Sequence, residues 1–314
     1  MPLLFGIYPG GLGAAEDGST TPGPAEDPAR ITEALDDLHG THPFLVRGYL
    51  HYSDASPGHP QAPPSPAQYA TGSRRLDLVL CFREPGENLD GWLAFVRDQV
   101  RAHAGCLATV QIAEEADHAG PGGDGGFPAV RAALVAGVVE AKREILRLGI
   151  DAKVGCNSTV IFDPAQEFWT DLGQRDGFRE SLDYAGLDFF PDVFAPIPPG
   201  DLASAVTGVL TMFRQRSLAA AGLAESVPIH ITEHGWGTGD DRPHGRQAEV
   251  VETVVRRVAQ ASQDLNIAAY EHFALRDADS SAANPLFQLG LTTSAYVRKP
   301  AFDTYRALID ELSV

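Results

Sequence analysis

The sequence predicts an α/β fold, a single (β/α)8 TIM barrel occupying residues 1–314. Three observations carry this expectation. Eight short β-rich runs recur along the chain, helical or helix-sized segments separate them, and the long Gly, Pro and Ser-rich stretches fall after strands rather than before them. A chain of 314 residues with 44% apolar content can bury one large core. Neither an internal repeat beyond the βα alternation nor a domain linker stands out.

The first strand is expected in "LLFGIY" (3–8), and the glycine-rich segment 9–28 follows it. "GIYPGGLG" has glycines without the spacing of a dinucleotide fingerprint, which argues against a doubly wound open sheet. "FLVRGYLHY" (44–52) is the second strand, with a proline-rich loop at 53–68, and "LDLVLCF" (76–82) is the third. "LATVQIA" (107–113) is the fourth. The loop 116–128 follows it, and then "PAVRAALVAGVVEAKREILRLG", in which Val130, Leu134, Gly137, Val138, Ala141, Ile145 and Leu148 recur at helical spacing. Pro128 suits the first helical position and Gly149 the stop. "AKVGCN" (152–157), "LDFF" (187–190), "PIHIT" (228–232) and "IAAYEHFAL" (267–275) complete the eight strands. A valine stripe at 251, 254, 255 and 258 marks a helix after the seventh strand. "KPAFDTYRALIDEL" closes the chain with Phe302, Tyr305, Ile309 and Leu312 on one face. In such a barrel the loops after the strands share one face, and active sites sit there.

Composition excludes several functions. With 42 acidic and 24 basic residues the formal charge is −18, which repels nucleic acid and anionic membrane surfaces alike. No apolar stretch approaches membrane-spanning length, and the first residues carry no basic, apolar leader pattern, so a cytoplasmic protein with no membrane partner is expected. Cys81, Cys106 and Cys156 lack CxxC spacing and read as reduced packing residues. No metal and no cofactor is expected. "LFGIYPG" has no His-x-His, "GPGGDGG" (120–126) lacks the Gly-Lys-Ser/Thr ending of a nucleotide loop, and Asp240 and Asp241 would repel a phosphate after the seventh strand.

Two carboxylates stand where chemistry is done. Glu115, in "VQIAEEAD", ends the fourth strand, and Glu233, in "PIHITEHGW", ends the seventh. Strand ends of a barrel point into one mouth, so the two can face each other across a sugar-sized gap, as glycoside hydrolysis requires. A strand-end carboxylate paired to an arginine such as Arg47 is the structural alternative for each.

These residues resemble the clan of retaining (β/α)8 glycoside hydrolases. "VQIAEEAD" resembles its strand-four motif ending Asn-Glu, and "ITEHGW" resembles its strand-seven motif, often Thr-Glu-aromatic-Gly-Trp. The resemblance implies Glu115 as acid/base, Glu233 as nucleophile, and Arg47 of "VRGY" as the arginine supporting the nucleophile. Trp236 belongs to the same motif and is expected at the substrate. The chain departs from the pattern at three places. Glu114 stands where the clan has Asn, Phe189 or Phe190 where a strand-six tyrosine often touches the nucleophile, and His272 or Phe273 where a strand-eight tryptophan often floors the sugar site. Asn157, Asp192, Arg276 and Asp277 are expected at the same face, as ligand contacts or loop caps. His51, His234 and His272 are candidates for a proton relay or for packing.

The reading is therefore a glycoside hydrolase-like enzyme that cleaves a small, sugar-containing glycoside or metabolite by double displacement. The departures keep two alternatives open. One is a pseudoglycosidase of a biosynthetic pathway, using Glu114, Glu115 and Glu233 for non-hydrolytic acid/base chemistry. The other is a catalytically silent sugar-binding barrel.

Overall fold

In the computed structural model, which describes residues 2–14, 20–21, 23–53, 65–120 and 122–314, eight parallel strands close into one barrel. We number them β1 (Leu4–Ile7), β2 (Phe44–Tyr52), β3 (Arg74–Phe82), β4 (Leu107–Ile112), β5 (Lys153–Ser158), β6 (Tyr184–Asp188), β7 (Ile229–His234) and β8 (Ile267–His272). Each pairs with its sequence neighbours, and β1 closes the ring against β8 and β2 through Leu4↔Ala269 and Phe5↔Phe44. A two-stranded hairpin, Gly13–Ala14 with Thr20–Thr21, decorates the β1 loop.

Helices α1 (Pro28–His39), α2 (Leu89–His103), α3 (Val130–Leu148), α4 (Glu167–Gly173), α5 (Phe178–Ser181), α6 (Leu202–Met212), α7 (His244–Ala261) and α8 (Pro300–Leu312) cover the barrel. The expected stripes are the buried ones, except that Leu148 at the end of α3 is only partly buried. Val130, Leu134, Gly137, Val138, Ala141 and Ile145 of α3 face the strands, as do Val251, Val254, Val255 and Val258 of α7. Gly137 is small for a reason, because a Cβ there would lie 2.7 Å from Ile112 of β4 and 3.0 Å from the Trp92 indole of α2. Gly149 ends α3 in the left-handed conformation with φ 66°, the usual use of glycine at a helix C-terminus.

Two elements differ from the sequence expectation. The crossover between β2 and β3 carries only a short 3-10 turn, Pro66–Tyr69, among its described residues, opened by Pro66. Much of that loop, residues 54–64, lies outside the described residues, as do 15–19 and 22 in the loop 9–28 and residue 121 in 116–128. The sixth strand begins at Tyr184 and ends at Asp188, earlier than the expected 187–190. Phe189 and Phe190 follow the strand instead of forming it.

The register brings polar side chains of different strands side by side inside the apolar frame. Arg47 of β2 lies opposite Asp77 of β3, and Asp188 of β6 lies opposite Glu233 of β7. All four are buried.

Candidate active site

The polar cluster at the C-terminal mouth of the barrel is organised by one guanidinium. Arg47, 1% exposed, is ion-paired with Asp77 through Nη1, while Nη2 donates to Gln111 Oε1 at 3.0 Å and to Glu114 Oε2 at 3.3 Å. Its Nε donates to the Tyr49 hydroxyl at 2.7 Å and lies 3.7 Å from Glu233 Oε1. Tyr49 in turn donates its hydroxyl proton to Glu233. Alternation along β2 puts Arg47 and Tyr49 on the same face, two residues apart.

β4 stops at Ile112, and the chain then turns sharply. Ala113 and Glu115 both adopt positive φ, 63° and 41°, a conformation that non-glycine residues rarely hold unless the surroundings impose it. The imposing contacts are visible. Asp124 accepts hydrogen bonds from the backbone N–H of Glu114 and of Phe82, both at 2.8 Å, and Asn157 Oδ1 accepts from the Glu115 N–H at 2.9 Å. The turn directs Glu114 into the cluster, where Gln111 Nε2 donates to it at 2.6 Å and Asn157 Nδ2 at 3.3 Å. Glu115 is only partly buried.

Glu114, Asp188 and Glu233 each present one oxygen such that the three lie within 4.8 Å of one another. Asp188 accepts from Asn157 Nδ2 and from the Thr232 hydroxyl. Burial and the neighbouring carboxylates favour the protonated forms of Glu233 and Asp188. Burial and then Glu114 push Glu233 up to about 8, with Arg47 and the Tyr49 hydroxyl pulling it down. Burial, Glu114 and Glu233 hold Glu115 well above the usual carboxylate range, and the same three causes act on Asp188. Glu114, Asp188 and Glu233 are also the described residues whose oxygens could reach a common cation. Each already accepts hydrogen bonds from protein donors.

The sequence-predicted residues divide by location. Arg47, Glu114, Asn157 and Glu233 meet in the cluster, and Glu115 adjoins it through its backbone bond to Asn157. Asp192 and Trp236 brace the loops after β6 and β7: the indole N–H lies 3.1 Å from both the backbone and a side-chain oxygen of Asp192, and Arg242 covers the ring at 3.7 Å. Arg276 donates to the Pro24 carbonyl at 2.9 Å, and Asp277 binds Lys299 at 2.7 Å. His234 and His272 approach each other, with ring centroids 6.0 Å apart, beside Tyr270 and Tyr305, whereas His51 stands on β2. Phe273, the residue after His272, stacks on Tyr8 at 4.9 Å. Sequence reasoning missed Tyr49, Asp77, Gln111 and Asp188. The tyrosine on Glu233 comes from β2, not β6. A concavity of about 890 Å3 along α6 is lined by none of these acids.

No protein-family model and no curated protein matches the sequence. Solved structures do match in fold. Bacteroides uniformis beta-glucuronidase 2, covalently bound to cyclophellitol-6-carboxylate aziridine, superimposes with a TM-score of 0.63 at 13% identity over 97% of this chain and 35% of that one. A family 39 glycoside hydrolase from the gut symbiont Bacteroides cellulosilyticus WH2 gives 0.63 at 14% identity, covering 99% of this chain and 64% of that one. The GH39 enzyme from Xanthomonas axonopodis pv. citri gives 0.57 at 13% identity, covering 90% and 62%. The chain thus spans between about one third and two thirds of the length of these structures. At this identity the likeness establishes the barrel fold.

Proposed function

We propose that the chain is a glycoside hydrolase-type enzyme acting on a small, sugar-containing substrate by double displacement, with Glu233 as nucleophile and Glu115 as acid/base. The observation that carries this reading is the pairing of Glu233 with Tyr49 and Arg47 at the mouth, beside the strained turn that presents Glu114 and Glu115 from β4. A nucleophilic carboxylate needs donors that favour its ionised form, and Glu233 has a phenol and a guanidinium. A general acid needs to keep its proton near neutrality, and partial burial beside Glu114 and Glu233 favours that form of Glu115. Likeness to glycoside hydrolase folds supports the same assignment by analogy.

In this mechanism Glu115 protonates the departing glycosidic oxygen while Glu233 attacks the anomeric carbon. Glu115, now ionised, then takes a proton from the water that releases the sugar. Arg47 and Tyr49 hold Glu233 in line. Asn157 fixes the Glu115 backbone.

A second reading, non-hydrolytic acid/base chemistry on the same barrel, is favoured by one observation. Glu114 brings an extra carboxyl, tied to Arg47, Gln111 and Asn157, to within 4.8 Å of Glu233. The experiment is a panel of aryl glycosides assayed with wild-type protein and Glu233→Gln. Turnover by the wild type, lost by several orders of magnitude in the variant, supports hydrolysis. No turnover of any glycoside by wild-type protein rejects it.

A further inference from the structure

The turn that carries Glu114 and Glu115 is closed by a residue to which the roles above give no part in the reaction. Asp124, in the loop after β4, is fully buried. It grips Glu114 from both sides: its carboxylate accepts from the Glu114 N–H at 2.8 Å, and its own N–H donates to the Glu114 carbonyl at 2.7 Å. The same carboxylate oxygen accepts from the Phe82 N–H at 2.8 Å, which ties the turn to the end of β3. The other oxygen lies 2.6 Å from Arg83 Nε, and Arg83 Nη2 donates to the Gly122 carbonyl at 2.6 Å. One buried side chain therefore joins the ends of β3 and β4 to the loop that follows β4.

That loop packs back on the turn. A Cβ on Gly123 would lie 2.7 Å from the Glu115 carbonyl oxygen and 3.2 Å from the Glu115 Cβ, so the glycine permits the approach. On the β5 side, Asn157 accepts from the Glu115 N–H at 2.9 Å, and Thr159 donates its N–H and hydroxyl to Asp117 at 3.1 and 2.6 Å. The two adjacent glutamates are thus held by different partners, Glu114 by Asp124 and Glu115 by Asn157. Positive φ on either side of Glu114, at Ala113 and Glu115, persists only because such contacts impose it. Among them, Asp124 alone takes hydrogen bonds from two strand-end amides while facing a guanidinium.

We propose that Asp124 is a positioning residue that divides the work between two adjacent carboxyls, holding Glu114 against Arg47 and leaving Glu115 to protonate the departing oxygen. The inference rests on the assignment of Glu115 as acid/base. Asp124 touches no substrate in this role and acts through the backbone of Glu114. Its loss lets the turn relax, and a general acid displaced by about 1 Å loses about 10²-fold in rate. Attack by Glu233 is spared, because Tyr49 and Arg47 hold that carboxylate from β2. The expected signature is a loss confined to substrates whose leaving group needs a proton.

The test uses Asp124→Asn and Asp124→Ala, with thermal melts to verify folding; the asparagine variant carries it where the alanine variant does not fold. Asparagine keeps the volume but sets an amide N–H2 against either Arg83 or the two backbone N–H groups. The first readout is kcat/KM, which reports the step in which the leaving group departs. It should fall about 10²-fold for a phenyl glycoside and change less than about threefold for a 2,4-dinitrophenyl glycoside, which leaves without a proton. An equal loss on both, as a merely structural defect would give, or no loss on either, overturns the proposal. The second readout is hydrogen exchange followed by mass spectrometry: peptides covering 112–118 should exchange about tenfold faster in Asp124→Asn, with α7 unchanged. Unchanged exchange over 112–118 also overturns it. Wild-type protein that turns over no glycoside removes the hydrolase reading instead, and exchange alone then decides whether Asp124 holds the turn.

Discussion

Replacing Tyr49 by phenylalanine removes the hydrogen bond on which the assignment of Glu233 depends. The change deletes one oxygen, leaves the ring in its edge contact with Tyr8, and removes both the donor to Glu233 and the acceptor of Arg47 Nε. A hydrogen bond to a charged group contributes about 1.5 to 3 kcal/mol, and 1.36 kcal/mol corresponds to one pKa unit, so Glu233 should rise by about 1 to 2 units from its value near 8. At pH 7 the ionised fraction is about one tenth in the wild type, and it should fall to about one hundredth to one thousandth in the variant. The sign follows from the chemistry: a nucleophile must be ionised, so activity rises with pH through its pKa, and raising that pKa moves the acid limb toward alkali. The assay is kcat/KM for an aryl glycoside between pH 5 and 10. Turnover at pH 7 should drop about 10- to 100-fold and recover at high pH. An acid limb that stays in place, or a uniform loss at every pH, would refute the claim that Tyr49 sets the charge on Glu233.

Glu114→Asn separates the two readings of the site: in a hydrolase it restores an amide donor toward the sugar and preserves or raises glycosidase turnover, whereas in a non-hydrolytic enzyme it removes a proton-transfer group and lowers the native reaction about 10²- to 10⁴-fold. Arg47→Lys should nearly abolish activity, because an ammonium cannot span Asp77, Gln111, Glu114 and Glu233 together. Chemical denaturation should show a loss of about 3 to 5 kcal/mol if the acids are left buried and uncompensated. Leu134→Ala on α3, fully buried against the barrel, should lower stability by about 2 to 5 kcal/mol in the same measurement while leaving kcat unchanged.

The barrel was legible because parallel strands buried on both faces read as apolar runs, and because the amphipathic stripes of α3 and α7 are unbroken. The sixth strand was misplaced for the same reason that it packs well. Its core residues are Tyr184, Ala185 and Gly186 rather than an apolar run. The Tyr184 ring occupies the space a Cβ on Gly155 would fill, and Gly186 lies against Asn157 and Thr232. Glu233 and the Glu114–Glu115 pair announced themselves by sitting at strand ends, and Arg47, inside β2, by its resemblance to the arginine that supports the nucleophile. Asp77, Gln111 and Asp188 did not, since a polar residue within or just closing an apolar strand gives no sign of which neighbour it will meet across the barrel. Tyr49 offered a signal in its two-residue spacing from Arg47, but only the register of β2 against β3, and the curvature that brings β2 toward β7, turn that spacing into a contact with Glu233.

The central claim is that Glu233 forms the covalent bond to the sugar. A 2-deoxy-2-fluoro glycosyl fluoride of a sugar that the protein binds should accumulate the intermediate, because the fluorine slows its release. Digestion and mass spectrometry should then find one glycosyl unit on the peptide carrying Glu233, and none on that peptide in Glu233→Gln. A label on Glu114, Glu115 or Asp188, or turnover that inverts the anomeric configuration with no labelled peptide, would contradict it.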